Sequence, residues 1–109
     1  MAKKTMKRFE VWLVMKNPKH GRVVDNLGLC TIVTPDELND LPSLVVAPMT
    51  TLSEGLPSRV ECQFEGSKGY IMVDQIRAVE KFCFIKKLGG LELDVQVNLC
   101  GCLQEFFAL

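Results

Sequence analysis

Hydrophobic and polar positions alternate in short runs along most of this chain, and a helical spacing shows once, near the C-terminus. FEVWLVM, residues 9–15, is rich in β-branched and aromatic residues and alternates well enough for a half-buried strand. KNPKHGRVVDNLG follows, punctuated by Asn-Pro, His-Gly and Asn-Leu-Gly, and reads as a loop. It is longer than a hairpin needs, and long ordered loops often carry function. LCTIVT, residues 29–34, predicts a second strand, which Pro35-Asp36-Glu37-Leu38-Asn39 ends in a turn or a single helical turn, and SLVVAPM predicts a third. A second polar loop, TTLSEGLPS, precedes RVECQFE, whose alternation sets Val60, Cys62 and Phe64 on one face. Gly66-Ser67-Lys68-Gly69 predicts a tight turn into YIMVDQ. AVEKFCFIKKL predicts one more strand, with Phe82 and Phe84 on the same side of the pleat and Gly89-Gly90 breaking it.

The tail LELDVQVNLCGCLQEFFAL places Val95, Leu99, Leu103 and Phe106 or Phe107 near helical spacing, with Glu92 and Asp94 in the N-terminal turn where the helix dipole favours acids. Gly101 weakens that helix by about 1 kcal/mol relative to alanine. Strands outnumber the one helix, which predicts a mainly β fold, a small and strongly bent sheet or open barrel closed by a C-terminal α-helix.

Composition narrows the classes. At 109 residues, 48% hydrophobic and 24% charged, the chain fits one domain with a modest core. No apolar run approaches the roughly 20 residues of a membrane helix, and MAKKTMKR lacks the apolar stretch of a signal peptide, so a cytoplasmic protein is expected. Cys30, Cys62, Cys83, Cys100 and Cys102 sit mostly among apolar neighbours and read as reduced core residues. The close pair Cys100-Gly101-Cys102 is far in sequence from His20, the single histidine, which argues against a metal site, and no cofactor is implied. Formal net charge is zero, but residues 1–22 hold seven Lys or Arg against Glu10, so they sum to +6 and the remainder to −6. That asymmetry suggests an anionic partner for one end, or a solvated tail in which Lys3, Lys4, Lys7 and Arg8 are merely exposed. Residues 1–8 are therefore read as a basic flexible N-terminus and 9–109 as a single domain.

Taken in order, EVWLV, the NP-then-glycine loop, TIVTP followed by ELN, VVAPMTT, the GLP step and VDQIRAV give the chain a family likeness. From about Phe9 to its end it resembles the MazF/PemK (Kid) toxins of type II toxin–antitoxin systems. The resemblance implies a CcdB/MazF-type, SH3-like small barrel with appended helices, a homodimer, a cognate antitoxin, and metal-independent cleavage of single-stranded RNA. In that chemistry a base removes a ribose 2′-OH proton, the oxygen attacks the adjacent phosphate, and a cation or acid stabilises the phosphorane and the leaving 5′-oxygen. The family's usual Arg-Pro pair at the end of the first long loop falls on Gly28-Leu29, and a loop acid falls on Val23. Losing a positioned donor of this kind costs about 100- to 1000-fold in rate, so weakened activity is expected.

The resemblance also marks candidates. Arg22, six residues before Gly28, is a replacement cation with His20 as acid or base and Lys19 beside them; alternatively, the three are solvated loop residues. Thr50, in the PMTT match, falls where the family hydrogen-bonds the scissile phosphate, with Thr51 next to it. Gln75 and Arg77 of VDQIR are placed near RNA, and Asp74 is read as a helix-start cap. Arg59 and Lys68 either steer RNA or are ordinary surface charges. Trp12 is read as core, and Phe82, Phe84, Leu103, Phe106 and Phe107 as core or dimer surface. Two other readings stand beside the ribonuclease. One is a catalytically inactive relative that binds antitoxin, RNA or DNA; the other is a CcdB-like gyrase inhibitor.

Overall fold

The computed structural model describes residues 5–15, 26–51 and 56–109. Among them the chain forms strands β1 (Glu10–Met15), β2 (Asn26–Ile32), β3 (Ser43–Thr50), β4 (Arg59–Phe64), β5 (Ser67–Met72), β6 (Arg77–Glu80) and β7 (Phe84–Gly90), then helix α1 (Leu93–Phe107). Every pairing is antiparallel, in the order β4-β5-β3-β2-β1-β7, with β6 also on β3. One edge of β3 takes β2, while the other takes β6 along Ser43–Val46 and β5 at Met49–Thr50. A strand with three partners cannot lie in a flat sheet, and the sheet curls into a half-barrel with α1 against β4. The expected mainly β architecture with one C-terminal helix is what forms.

Four local expectations shift. The single strand expected over residues 78–88 is two, β6 and β7, separated by a 3-10 turn at Lys81–Cys83. The chain must leave β3 and reach β1 there, and burying Cys83 and Phe84 fixes the crossing. The tight turn lies at Glu65-Gly66 rather than Gly66–Gly69, since Phe64 pairs with Ser67 and both turn residues have positive φ, 52° and 78°. That is the two-residue turn whose twist suits a hairpin. Gly89-Gly90 ends β7 instead of breaking it, with Gly89 opposite Val11 and Gly90 opposite Glu10. The basic segment expected to be flexible is packed from Met6 onward. Met6 is buried, the Lys7 N–H donates to Glu10 Oε1 at 2.9 Å, and the Arg8 N–H donates to Asp36 Oδ1 at 2.7 Å.

Both faces of the curled sheet are covered, so two apolar clusters form. Cross-strand neighbours share a face, which puts Trp12 with Cys30, Ile32 with Val46 and Leu44 with Val79 in a cluster completed by Met6, Val14 and Phe84. The other cluster sets Ala47, Val60, Cys62, Ile71 and Val73 against Val95 and Leu99 of α1. On α1 the expected apolar positions divide: Val95 and Leu99 are buried and Leu103 packs beside them, whereas Leu93, Val97, Phe106 and Phe107 stay exposed.

Two polar groups inside this frame yield predictions. Thr31 lies in the fully buried row Val11–Thr31–Ala47, and among the described residues its hydroxyl has no hydrogen-bond partner. A buried unsatisfied hydroxyl costs about 1–3 kcal/mol, so the nearly isosteric Thr31→Val is expected to stabilise the fold by about 1 kcal/mol in urea unfolding. A loss of stability would mean that the hydroxyl has a partner after all.

Glu10, 9% exposed, accepts from the Lys7 N–H and from Trp12 Nε1 at 3.0 Å, and its Oε2 lies 2.9 Å from Lys87 Nζ. Burial raises its pKa, but the bonds from Lys87, the Lys7 N–H and Trp12, with the Lys87 charge, outweigh burial and leave it below the ordinary 4.5. A lowered folded pKa contributes stability that is present above the unfolded value and is lost as pH falls through the folded value. Glu10→Gln is therefore expected to cost about 1–2 kcal/mol at pH 7, with the difference from wild type closing in urea melts taken below the ordinary carboxylate range. A difference independent of pH would place the effect in packing instead.

Candidate functional site

A groove of about 250 Å³ opens where three stretches of chain meet. Leu29 brings the start of β2, Met49, Thr50 and Thr51 bring the end of β3, and the β4–β5 hairpin closes the far side with Phe64, Glu65, Ser67, Lys68 and Gly69. Each approach has a local cause. The β1–β2 ladder slips register between Val14 and Met15, and Gly28, opposite Val14, takes φ of 74°, a conformation that L side chains rarely adopt. Leu29 follows this kink to the groove wall. On the hairpin, a Cβ at Gly69 would lie 3.4 Å from the Thr50 carbonyl oxygen, so glycine lets β5 come close to the end of β3.

The lining mixes apolar Leu29, Met49 and Phe64 with polar Thr50, Thr51, Glu65, Ser67 and Lys68. Among the described residues that line it, Lys68 supplies the one positive charge, and its Nζ lies 2.8 Å from Glu61 Oε1 with both side chains 60% exposed. The hydrogen bond and charge of Glu61 raise the Lys68 pKa, so the ammonium is charged throughout the neutral range. Exposed pairs of this kind contribute little, so an anionic ligand can draw Lys68 away at small cost.

The sequence candidates fall into three groups. Thr50 and Thr51 line the groove. Arg22, His20 and Lys19 lie outside the described residues. Arg59, Gln75 and Arg77 do not line it. Arg59, its side chain 13% exposed, is held by Asp74, with Nε 3.4 Å from Oδ1 and Nη2 3.5 Å from Oδ2. Gln75 Nε2 donates to the same carboxylate at 3.1 Å, as does Ser58 Oγ at 3.0 Å. The bond from Gln75 is the largest influence holding the Asp74 carboxyl below its usual range; burial opposes it, and Ser58 and the Arg59 charge add to it. Asp74 does not cap a helix start, since Met72 precedes the 3-10 turn Val73–Gln75 with no side-chain cap. It ties that turn to the start of β4. Arg77 is exposed on β6 opposite Val46.

The cysteines offer no nucleophile in the groove. All five are unpaired thiols, and burial pushes Cys30 up to about 12, with the Arg77 charge opposing. Among the described residues no group of three or more His, Cys, Asp or Glu is placed to hold a metal. No helix among them is long and apolar enough to cross a membrane.

On the hairpin side of this groove the sequence offers Lys68 as a steering charge but not Phe64. Phe64 shares the inward alternation of Val60 and Cys62 and reads as core. Only the position of the Glu65-Gly66 turn shows that it is the last residue of that row.

Comparison with known proteins agrees with this architecture. Residues 7–107 match the family described as PemK-like, MazF-like toxin of type II toxin-antitoxin system. No curated protein matches the chain by sequence. An endoribonuclease from Mycobacterial species superposes with a TM-score of 0.77 at 18% identity, covering 96% of this chain and 93% of that one. MazF from Deinococcus radiodurans gives 0.77 at 16% identity over 98% of this chain and 100% of its own. The MazE-MazF structure from the same organism gives 0.74 at 19% identity, again covering 98% and 100%. At these identities the likeness to solved structures speaks for the fold.

Proposed function

The chain belongs to the PemK-like, MazF-like toxins of type II toxin–antitoxin systems, and on that premise we propose that it is a dimeric, metal-independent endoribonuclease of single-stranded RNA whose catalytic set is altered and weakened. The observation that carries this reading is the meeting of Leu29, Thr50 and Thr51 in one groove. The loop end and the PMTT stretch, which the resemblance assigns to the site, are distant in sequence and arrive at the same place.

In this reading the Thr50 hydroxyl hydrogen-bonds the scissile phosphate, and Lys68 offers a positive charge beside it. Arg22 supplies the cation that stabilises the phosphorane, and His20 the acid or base that moves the 2′-OH and 5′-oxygen protons. Lys19, Thr51, Gln75 and Arg77 contact the strand, and Arg59, paired with Asp74, contacts it only where it leaves that carboxylate. Gly28 stands where the family's usual arginine would be, which is the reason for weakened turnover. The antitoxin is a small acidic chain whose disordered tail covers the groove. The exposed face of α1, with Leu93 and Val97, suits a second copy of the chain, and the pair works in the cytoplasm.

A second reading, a relative that binds RNA or antitoxin without cutting, is favoured by one observation: among the described groove residues the cation is a lysine, a point charge without the forked geometry that suits a phosphorane. Binding and cleavage of a mixed-sequence RNA by wild type and Thr50→Ala separate the two. The proposal expects tight single-stranded RNA binding by both proteins and cutting that falls about 100-fold in the variant. Binding with no cutting by wild type supports the second reading, and no RNA binding removes the first and leaves of the second only the binding of antitoxin.

A further inference from the structure

Phe64 closes an inward-facing row in which the two residues before it, Val60 and Cys62, are 7% and 3% exposed. Phe64 itself is half-buried and opens onto the groove. One edge of its ring is pinned. A Cβ on Gly89 would lie 3.2 Å from ring Cε1 and 3.5 Å from Cζ, so bare glycine backbone is what admits the ring there. An aromatic plane held on one edge by backbone and open to a groove on another loses little conformational freedom when a ligand stacks on it. At about 250 Å³ the groove has room for a nucleobase against the ring. Its lining carries hydroxyls of Thr50, Thr51 and Ser67 with the Lys68 ammonium, groups that suit a base edge and a phosphate.

We infer that Phe64 is the base-stacking residue of this groove, holding one nucleobase of a single strand while the threonine end of β3 meets the adjoining phosphate. The inference rests on the ribonuclease reading and adds to it the residue that holds one base of the strand in the groove. Stacking on an aromatic side chain is tolerant of base identity, and removing it weakens binding by about ten-fold or more.

The test uses the full chain with a mixed-sequence single-stranded RNA oligonucleotide, and with copies of it in which each base in turn is replaced by an abasic sugar. Wild type is expected to lose about ten-fold in affinity at one position of that scan. Phe64→Leu, with a melting temperature near that of wild type, is expected to bind the intact strand as weakly as wild type binds its worst abasic copy. The variant should be indifferent to that position, and Phe64→Trp should restore sensitivity. An abasic scan of wild type without any sensitive position overturns the inference whether or not the variants fold, and so does unaltered binding by a folded Phe64→Leu. If wild type binds no RNA at all, the ribonuclease reading fails first and the inference with it, which is a different outcome from a flat scan on a tight complex.

Discussion

Replacing Gly28 with arginine is expected to raise RNA cleavage by about 100- to 1000-fold, the contribution typical of one positioned donor at a developing negative charge. Among the described residues nothing lies within 4 Å of a Cβ at Gly28, and Leu29 beside it lines the groove. Its backbone opposes the change. At φ of 74° an L residue is strained by roughly 1–2 kcal/mol, so Gly28→Arg should melt several degrees below wild type even as it cuts faster. Gly28→Ala separates the two effects, because it carries the strain without the cation. Loss of stability in both variants with faster cutting in the arginine variant alone is the expected pattern. If neither cuts faster while both remain folded, the absence of the cation at this position is not what limits the enzyme.

The second large effect concerns Phe84. It is fully buried and meets Trp12 edge-to-face, ring centroids 5.9 Å apart at 81°, in the cluster that also holds Val14 and Cys83. Truncating such a side chain removes its transfer free energy and leaves a cavity, so Phe84→Ala is expected to cost about 3–5 kcal/mol in urea unfolding. That is a large share of the 5–15 kcal/mol typical of whole domains. Phe82→Ala, two residues earlier and at a ring 45% exposed, should cost far less. Equal costs would mean that the crossing between β6 and β7 is packed differently from this account.

The contrast between these two rings shows what the sequence could and could not convey. Both read as one face of a single strand, because nothing in EKFCF interrupts the apolar alternation, and Lys81–Cys83 turns without glycine or proline. The turn is imposed by tertiary pairing, as β6 belongs to β3 and β7 to β1. Strands β1 and β4 are legible as short alternating runs and β3 as a short apolar run, each between turn residues, and α1 because Val95, Leu99 and Leu103 recur at helical spacing. The packed segment around Met6 and Arg8 was not legible, since a run of lysines and arginines carries no sign of what its backbone amides meet.

The candidate site was legible in the same uneven way. Thr50 was found through the motif around it and lies in the groove. Arg59 was chosen as a free cation, yet Asp74, more than a dozen residues away, holds it. A charge census cannot see such a partner. Phe64 was passed over because a residue at the end of an inward row has the same pattern as one in its middle. Where the row stops, and so whether the ring meets core or groove, depends on a turn displaced by two residues from the one the glycines suggest.

If the groove holds single-stranded RNA for attack by its own 2′-oxygen, wild type incubated in EDTA with a mixed-sequence RNA, and with the same RNA carrying 2′-O-methyl groups throughout, treats the two differently. Slow cutting of the first, leaving 5′-hydroxyl ends, and no cutting of the second are expected, although both bind. Equal cutting of the two strands, or no binding of either, would contradict the ribonuclease reading.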